Sequence, residues 1–243
     1  MSEQPLTGLP VSGLPERALV VGDPDRAAAV AEQLSDVRPL ARRREFHSYL
    51  GKWDGVSLVV SSHGVGAPGA QCLFEELAEG GARTFVRLGT TGALQPGIAD
   101  GDLVVADACI RDDGVSDQLI PASYPAAATA EVVLALAQAA AGRGVAFHRG
   151  IVWTRAAFYP DLVDLGLERY VEAGVLSIEM ELSALLVFAA RRGLSAGGVL
   201  VVDGAAADGL RDGDGYNPHR SVVADGVRAG TAVALDALVS VGR

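Results

Sequence analysis

Short apolar runs alternate along this chain with longer stretches of helical period, and each pattern predicts its own kind of element. Residues 17–22, Arg-Ala-Leu-Val-Val-Gly, read as a buried strand, and Asp23-Pro24-Asp25-Arg26 opens a helix with acid and proline in its first turn. Residues 46–50 and 56–62 alternate and carry β-branched positions as antiparallel strands do, with Gly51-Lys52-Trp53-Asp54-Gly55 as the hairpin turn between them. A helix is expected from about Ala70. The β-rich run Thr84-Phe85-Val86 then ends at Arg87, where Gly89 and Gly92 predict a sharp turn. Residues 103–110 read as a strand closed by the turn Arg111-Asp112-Asp113-Gly114, 126–141 as an alanine-rich helix, 146–154 as a strand and 161–172 as a helix after Pro160. Beyond the apolar run at 175–178 come a long helix through Arg192, a strand at 198–202, a glycine-rich loop at 204–218 and a closing helix at 219–239. Strands alternating with helices, with one hairpin inserted, predict an α/β fold: a mixed sheet covered by helices on both faces.

With 243 residues, 49% hydrophobic and 21% charged, the chain can bury a sizeable core, and a single domain over 1–243 is expected. The formal charge of −10 repels polyanions at long range and no basic face stands out, so no nucleic acid partner is expected. No uninterrupted apolar stretch is long enough for a bilayer, and Glu3 and several prolines stand where a leader would carry basic and apolar runs. No membrane partner and a cytoplasmic location are therefore expected. Cys72 and Cys109 lack metal-ligand spacing and sit in apolar contexts, so neither a metal site nor a disulfide framework is expected. Lys52 is the only lysine, which argues against Walker-type phosphate loops and Schiff-base chemistry. Any anion site must be built from arginine and backbone amides.

Such sites can be placed at strand ends, where ligands of α/β sheets gather. Gly22 between a strand and a helix start offers free amides and a favourable dipole, with Arg26 one turn further on. Arg87 beside Gly89-Thr90-Thr91-Gly92 offers a second anion site with two hydroxyls. Glu181 and Asp203 supply carboxylates. Gly64-Val65-Gly66-Ala67-Pro68-Gly69 fits the dinucleotide pattern G-x-G-x-x-G, but Pro68 stiffens it and no hydride-transfer group follows. Gly193-Leu194-Ser195-Ala196-Gly197 fits a hydrolase nucleophile pattern but lies between helix and strand, the reverse of a nucleophile elbow. The acids of the 204–218 loop lack calcium-loop spacing, so a lid is the expected role. An oxyanion held by arginines, a carboxylate for vicinal hydroxyls and a second carboxylate fit phosphate attacking a sugar carbon.

In order along the chain, VGDPDR at 21–26, RREF at 43–46, HGVG at 63–66, RLGTTGALQPGI at 87–98, IRDDGVS at 110–116, FYP at 158–160, IEMELSALL at 178–186 and GGVLVVDG at 197–204 carry a family resemblance. The sequence resembles the nucleoside phosphorylases of the purine nucleoside phosphorylase and uridine phosphorylase superfamily over nearly its whole length. HGVG, EMEL and VVDG are most similar to the apicomplexan-type purine nucleoside phosphorylases, whereas the GTTG turn looks like that of uridine phosphorylases. The resemblance implies a three-layer α/β/α sandwich with a central mixed sheet, assembled as homo-oligomers built from dimers, commonly hexamers. It implies no cofactor and no metal, inorganic phosphate being a co-substrate with the nucleoside. Gly22, Arg26, Arg87 and Thr90 would bind phosphate, with Arg44 reaching in from a neighbouring subunit. Met180 and Glu181 would hold the ribose. Thr91, Gly92, Phe158, Ile178 and Glu179 would line the base pocket, and Asp203 would serve the purine N7, so that Arg87 and Asp203 carry the catalysis.

The sequence also departs from the family. Residues 1–10 hold no histidine to match the one that reaches a neighbour's ribose 5′-hydroxyl, and Thr154-Arg155-Ala156-Ala157 stands where serine and aspartate are usual. Leu162 and Asp164 occupy the positions of the glutamine and arginine that read uracil, and Gly209 replaces an aromatic of the apicomplexan-type lid. The expectation is phosphorolysis of a ribonucleoside, with inosine or guanosine favoured. Uridine phosphorolysis is the alternative, followed by a non-catalytic nucleoside-binding protein or a nucleosidase.

Overall fold

The computed structural model describes residues 2–159, 162–206 and 219–241. In chain order its elements are β1 (Arg17–Val21), α1 (Pro24–Ala31), β2 (Ser35–Arg43), β3 (Phe46–Trp53), β4 (Val56–Ser62), α2 (Ala67–Gly80), β5 (Thr84–Ala93), β6 (Leu103–Asp112), α3 (Ser116–Leu119) and β7 (Ala126–Ala127). They continue with α4 (Ala130–Gly142), β8 (Phe147–Arg155), α5 (Leu167–Glu172), β9 (Ser177–Glu179), α6 (Leu182–Arg191), β10 (Ser195–Ala205) and α7 (Ser221–Ser240).

Successive residues of β1 face opposite layers, as the period of two requires. Ala18 and Val20 join a core with Leu73, Phe74 and Leu77 of α2 and Leu185 and Phe188 of α6. Leu19 and Val21 join another with Val30 of α1, Val132 and Leu136 of α4, and Val233 and Leu238 of α7. Burial on both faces is why this strand reads as an unbroken apolar run. The result is an α/β/α sandwich around a mixed sheet.

The strand order is β10-β6-β8-β9-β5-β1-β4-β3-β2, with β7 on β6. β1 runs parallel to β4 and β5, and β10 runs parallel to β5. The inserted hairpin adds β3 and β2 antiparallel at one edge. Because β10 pairs with β5 as well as β6, strands β5, β10, β6, β8 and β9 close on themselves. This curling brings strand ends that lie far apart in sequence around one cavity.

Several elements differ from the sequence expectations. The strand expected to end at Arg87 runs to Ala93, so Gly89 and Gly92 lie within β5 and not in a turn. Gly89 makes room for Arg87 and Gly92 for Ala206, where an added Cβ would come within 2.7 Å of the Ala206 Cβ. Their role is close approach, which local pattern does not distinguish from a turn. Likewise β6 continues through Asp112 and β10 through Ala205, because pairing with β8 and β5 satisfies the backbone beyond the apolar run. Lys52 and Trp53 belong to β3, leaving Asp54-Gly55 as the turn. The helix expected over 126–141 is preceded by β7 and begins at Ala130. Of the helix expected at 161–172 only α5 forms, because Gly166 adopts a left-handed φ of 71° and its N–H is taken by Asp164. Arg42-Arg43 ends a whole strand, β2, whose largely exposed residues gave no apolar signal. Most of the expected lid, 207–218, including Gly209, lies outside the described residues.

Candidate active site

A cavity of about 630 Å³ opens where β1, β5, β8, β9 and β10 end. Gly22, Arg26, Arg87, Thr90, Thr91, Gly92, Phe158, Ile178, Glu179, Met180, Glu181 and Asp203 all line it. Thus every residue named from the sequence for phosphate, ribose or base is present, except Arg44. That residue is exposed at the β2–β3 turn with a φ of 51° and does not line its own chain's cavity.

Arg87 and two carboxylates form the centre. Its guanidinium, on a residue only 4% exposed, bonds Glu181 Oε2 through Nη2 and lies 3.4 Å from Glu179 Oε2. Burial works against its charge, but the two glutamates outweigh that and raise its pKa. Nη1 and Nε are buried without a hydrogen-bond partner. A buried donor left unpaired costs stability, so the arrangement suits an anion that would satisfy these two groups. Room for Nη1 comes from Gly89: an ideal Cβ there would lie 1.8 Å from it.

The two carboxylates each meet a helix start. Glu179 accepts from the backbone N–H of Glu181 and Leu182 at α6 and from the Thr154 hydroxyl. Its pKa is raised by burial against the pull of Arg87. Glu181 accepts from Gly66 N–H, ahead of α2, at 2.6 Å. Burial alone would raise its pKa, but Arg87, His63 and that N–H hold it below the usual carboxylate range. Of the pair, Glu181 keeps its charge more firmly. The glycine motif expected to be weak for dinucleotides therefore serves a carboxylate.

Asp203, 2% exposed, is the extra residue of a β-bulge: Val202 pairs with Thr91 and Gly204 with Gly92, leaving Asp203 between them. Bulges beside sites re-aim side chains, and this one accompanies a carboxylate at the cavity wall. The Thr91 hydroxyl donates to Ile178 O, tying β5 to β9. At the β1 end, Asp23 caps α1 by accepting from Asp25 N–H, and Arg26 stands in the first turn.

Residues that the sequence did not mark lie beside the cavity or on its wall. His63 ends the β4 chain segment fully buried, its Nδ1–H donating to Gly64 O at 2.8 Å, which leaves Nε2 without a partner. Burial lowers its pKa to about 4. Gly64, Val65, Arg155 and Tyr159 line the cavity too. Arg155 could have been found from its position at the end of a β-branched run, the same signal that marked Arg87 and Asp203. Leu162 is 95% exposed and, like Asp164, lies away from the cavity wall. Among the described residues no group of three or more His, Cys, Asp or Glu could hold a metal, and no helix is long and apolar enough to cross a membrane.

With that geometry stand three similarities to known proteins. Residues 16–240 match the family model described as "Phosphorylase superfamily". The chain belongs to that superfamily. Uridine phosphorylase of Thermococcus kodakarensis is 40% identical over 196 residues, spanning 76% of this chain and 71% of the relative. Guanosine phosphorylase of Halorubrum lacusprofundi is 33% identical over 213 residues, 88% of each. Purine nucleoside phosphorylase from Toxoplasma gondii, solved in complex with immucillin-H, superposes with a TM-score of 0.93 at 31% identity, covering 99% of this superfamily member and 96% of the other chain.

Proposed function

We propose that this protein catalyses phosphorolysis of ribonucleosides to free base and ribose 1-phosphate, with inosine and guanosine preferred. The observation that carries the reading is the buried Arg87 with two unpartnered donors, set between the Gly22–Arg26 helix start and the ionised Glu181. Phosphate would take the arginine donors and the helix start, and Glu181 would accept from the ribose 2′ and 3′ hydroxyls beside Met180. Attack at C1′ develops positive charge on the sugar, which the phosphate and the neighbouring carboxylates stabilise. Thr90 would add a hydroxyl to the phosphate. Thr91, Gly92, Phe158, Ile178 and Glu179 would border the base, with the Glu179 carboxylate turned to α6 and Arg87. Asp203 would assist the departing purine at N7. The active unit is an oligomer in which Arg44 serves a neighbouring site.

The purine preference draws support from Asp203 at the cavity wall and from Leu162 and Asp164 lying away from it. Relatives named for uridine, guanosine and purine nucleosides all resemble this chain, and the similarity to uridine phosphorylases makes uridine the second reading. Incubation with inosine, guanosine, uridine and 5′-methylthioadenosine, each with and without phosphate, tests both. Phosphate-dependent release of hypoxanthine and ribose 1-phosphate is expected. Release of base without phosphate would replace the reading with a nucleosidase, and faster uridine cleavage would replace the purine preference.

A further inference from the structure

Resting on the phosphorylase reading above, we propose that Arg155 selects the base by donating to an exocyclic oxo group, so that oxo-substituted bases are accepted over their amino counterparts. Arg155 closes β8, lines the cavity and is only 6% exposed. Unlike Arg87, it has no carboxylate within ion-pair distance among the described residues. Its hydrogen bond is to Phe158 O, from Nη2 at 2.6 Å, and its guanidinium lies 5.7 Å from the Trp153 ring centre. Burial lowers its pKa, with Asp112 as the opposing charge. A guanidinium has five N–H donors and no acceptor. With one hydrogen bond, to Phe158 O, and a place on the cavity wall, it keeps donors that an acceptor of a ligand in the cavity can take.

Position decides which part of the ligand that is. β9 and β5 separate β8 from β1, so Arg155 stands three strand steps from Gly22, about 14 Å along the sheet at about 4.8 Å per step. Between them come Thr91 and Gly92 of β5 and Ile178 of β9. A nucleoside with its reacting end at Gly22 and Arg87 and its ribose on Glu181 directs the base toward Arg155 and Phe158. There a carbonyl oxygen accepts from the guanidinium, whereas an amino group brings a donor against donors. The fork geometry suits O6 of hypoxanthine or guanine, as it does the same atom of guanine in nucleic acids.

Steady-state kinetics of wild type, R155M and R155K on inosine, guanosine and adenosine, with phosphate titrations and thermal melts, test this. In R155M, kcat/KM for inosine and guanosine should fall about 10- to 100-fold while adenosine changes less than about threefold, so the oxo-to-amino ratio collapses. KM for phosphate should hold. A merely structural role, through the Phe158 bond, would lower all three nucleosides together. Should R155M fail to fold, R155K carries the test, since a point charge replaces the fork and the ratio should still drop. An unchanged ratio in folded variants, equal loss on inosine and adenosine, or a wild type that prefers adenosine overturns the assignment of Arg155. Absence of phosphorolysis of every nucleoside by the wild type overturns instead the functional reading on which it rests.

Discussion

The backbone N–H of Gly66 donates to Glu181 Oε1 at 2.6 Å across 115 residues of sequence. A glycine with a φ of 97° at the start of α2 thereby fixes the carboxylate that faces Arg87. The helix start also favours its negative charge. Sequence reasoning assigned this loop and this glutamate to separate motifs; the fold makes them one device.

Gly89→Ala should injure the site without altering any charged residue. The new Cβ would meet Arg87 Nη1 and Cζ at 1.8 and 2.7 Å, so the guanidinium must move. Overpacking of this kind typically costs about 1–3 kcal/mol. The expected outcome is a folded protein, less stable in urea, whose KM for phosphate rises about tenfold or more, corresponding to weakening of a charge-assisted bond. Phosphate kinetics indistinguishable from wild type would show that Arg87 is not held to the anion by this contact.

Asp203→Asn should lower turnover of inosine about 10²–10⁴-fold, the usual range for lost general acid assistance, and spare any uridine cleavage, since uracil has no N7. The motive is the bulge that sets Asp203 beside Thr91 and Gly92 at the cavity wall. Parallel assays on both nucleosides decide the matter. Equal losses would mean that the carboxylate supports the bulge and not the purine.

His63 makes stability depend on pH. Its pKa is about 4 in the folded chain against 6.5 ordinarily, because burial disfavours the charged ring. Between these values the unfolded state binds the proton and the folded state does not, so stability falls as pH drops below 6.5 and this loss is complete below about 4. At pH 5 linkage puts the loss at about 2 kcal/mol relative to neutral pH. Urea unfolding at pH 7.5 and 5 should show this increment in wild type and lose it in His63→Asn. The same increment in both proteins would mean that His63 does not resist protonation when folded.

Arg44 lies outside the cavity of its own chain. If it completes a neighbour's phosphate site, mixtures of inactive Arg44→Ala and inactive Glu181→Ala chains should regain part of the activity by forming one intact site. Light scattering should find no active monomer. Continued inactivity despite proven subunit exchange would remove Arg44 from the site.

By itself the sequence determined the α/β class and picked out Gly22, Arg87 and Asp203, at the ends of buried apolar runs, as residues that line the cavity. These are local signals: apolar period, capping residues and charge at the end of a buried run. The ordered motifs added Glu181, Met180, Phe158, Ile178 and Glu179, all of which line the same cavity. Only the tertiary structure decided that β5 runs past Gly89 and Gly92, that the sheet closes through β10 and β5, and that Asp203 is a bulge. Each depends on pairing between strands far apart in the chain, and a glycine needed for close approach looks the same locally as one needed for a turn. The same holds for Arg155 and His63. Whether a lone cation is solvated or lines a cavity, and whether an imidazole is exposed or buried, is set by the neighbours around it, and those come from other strands.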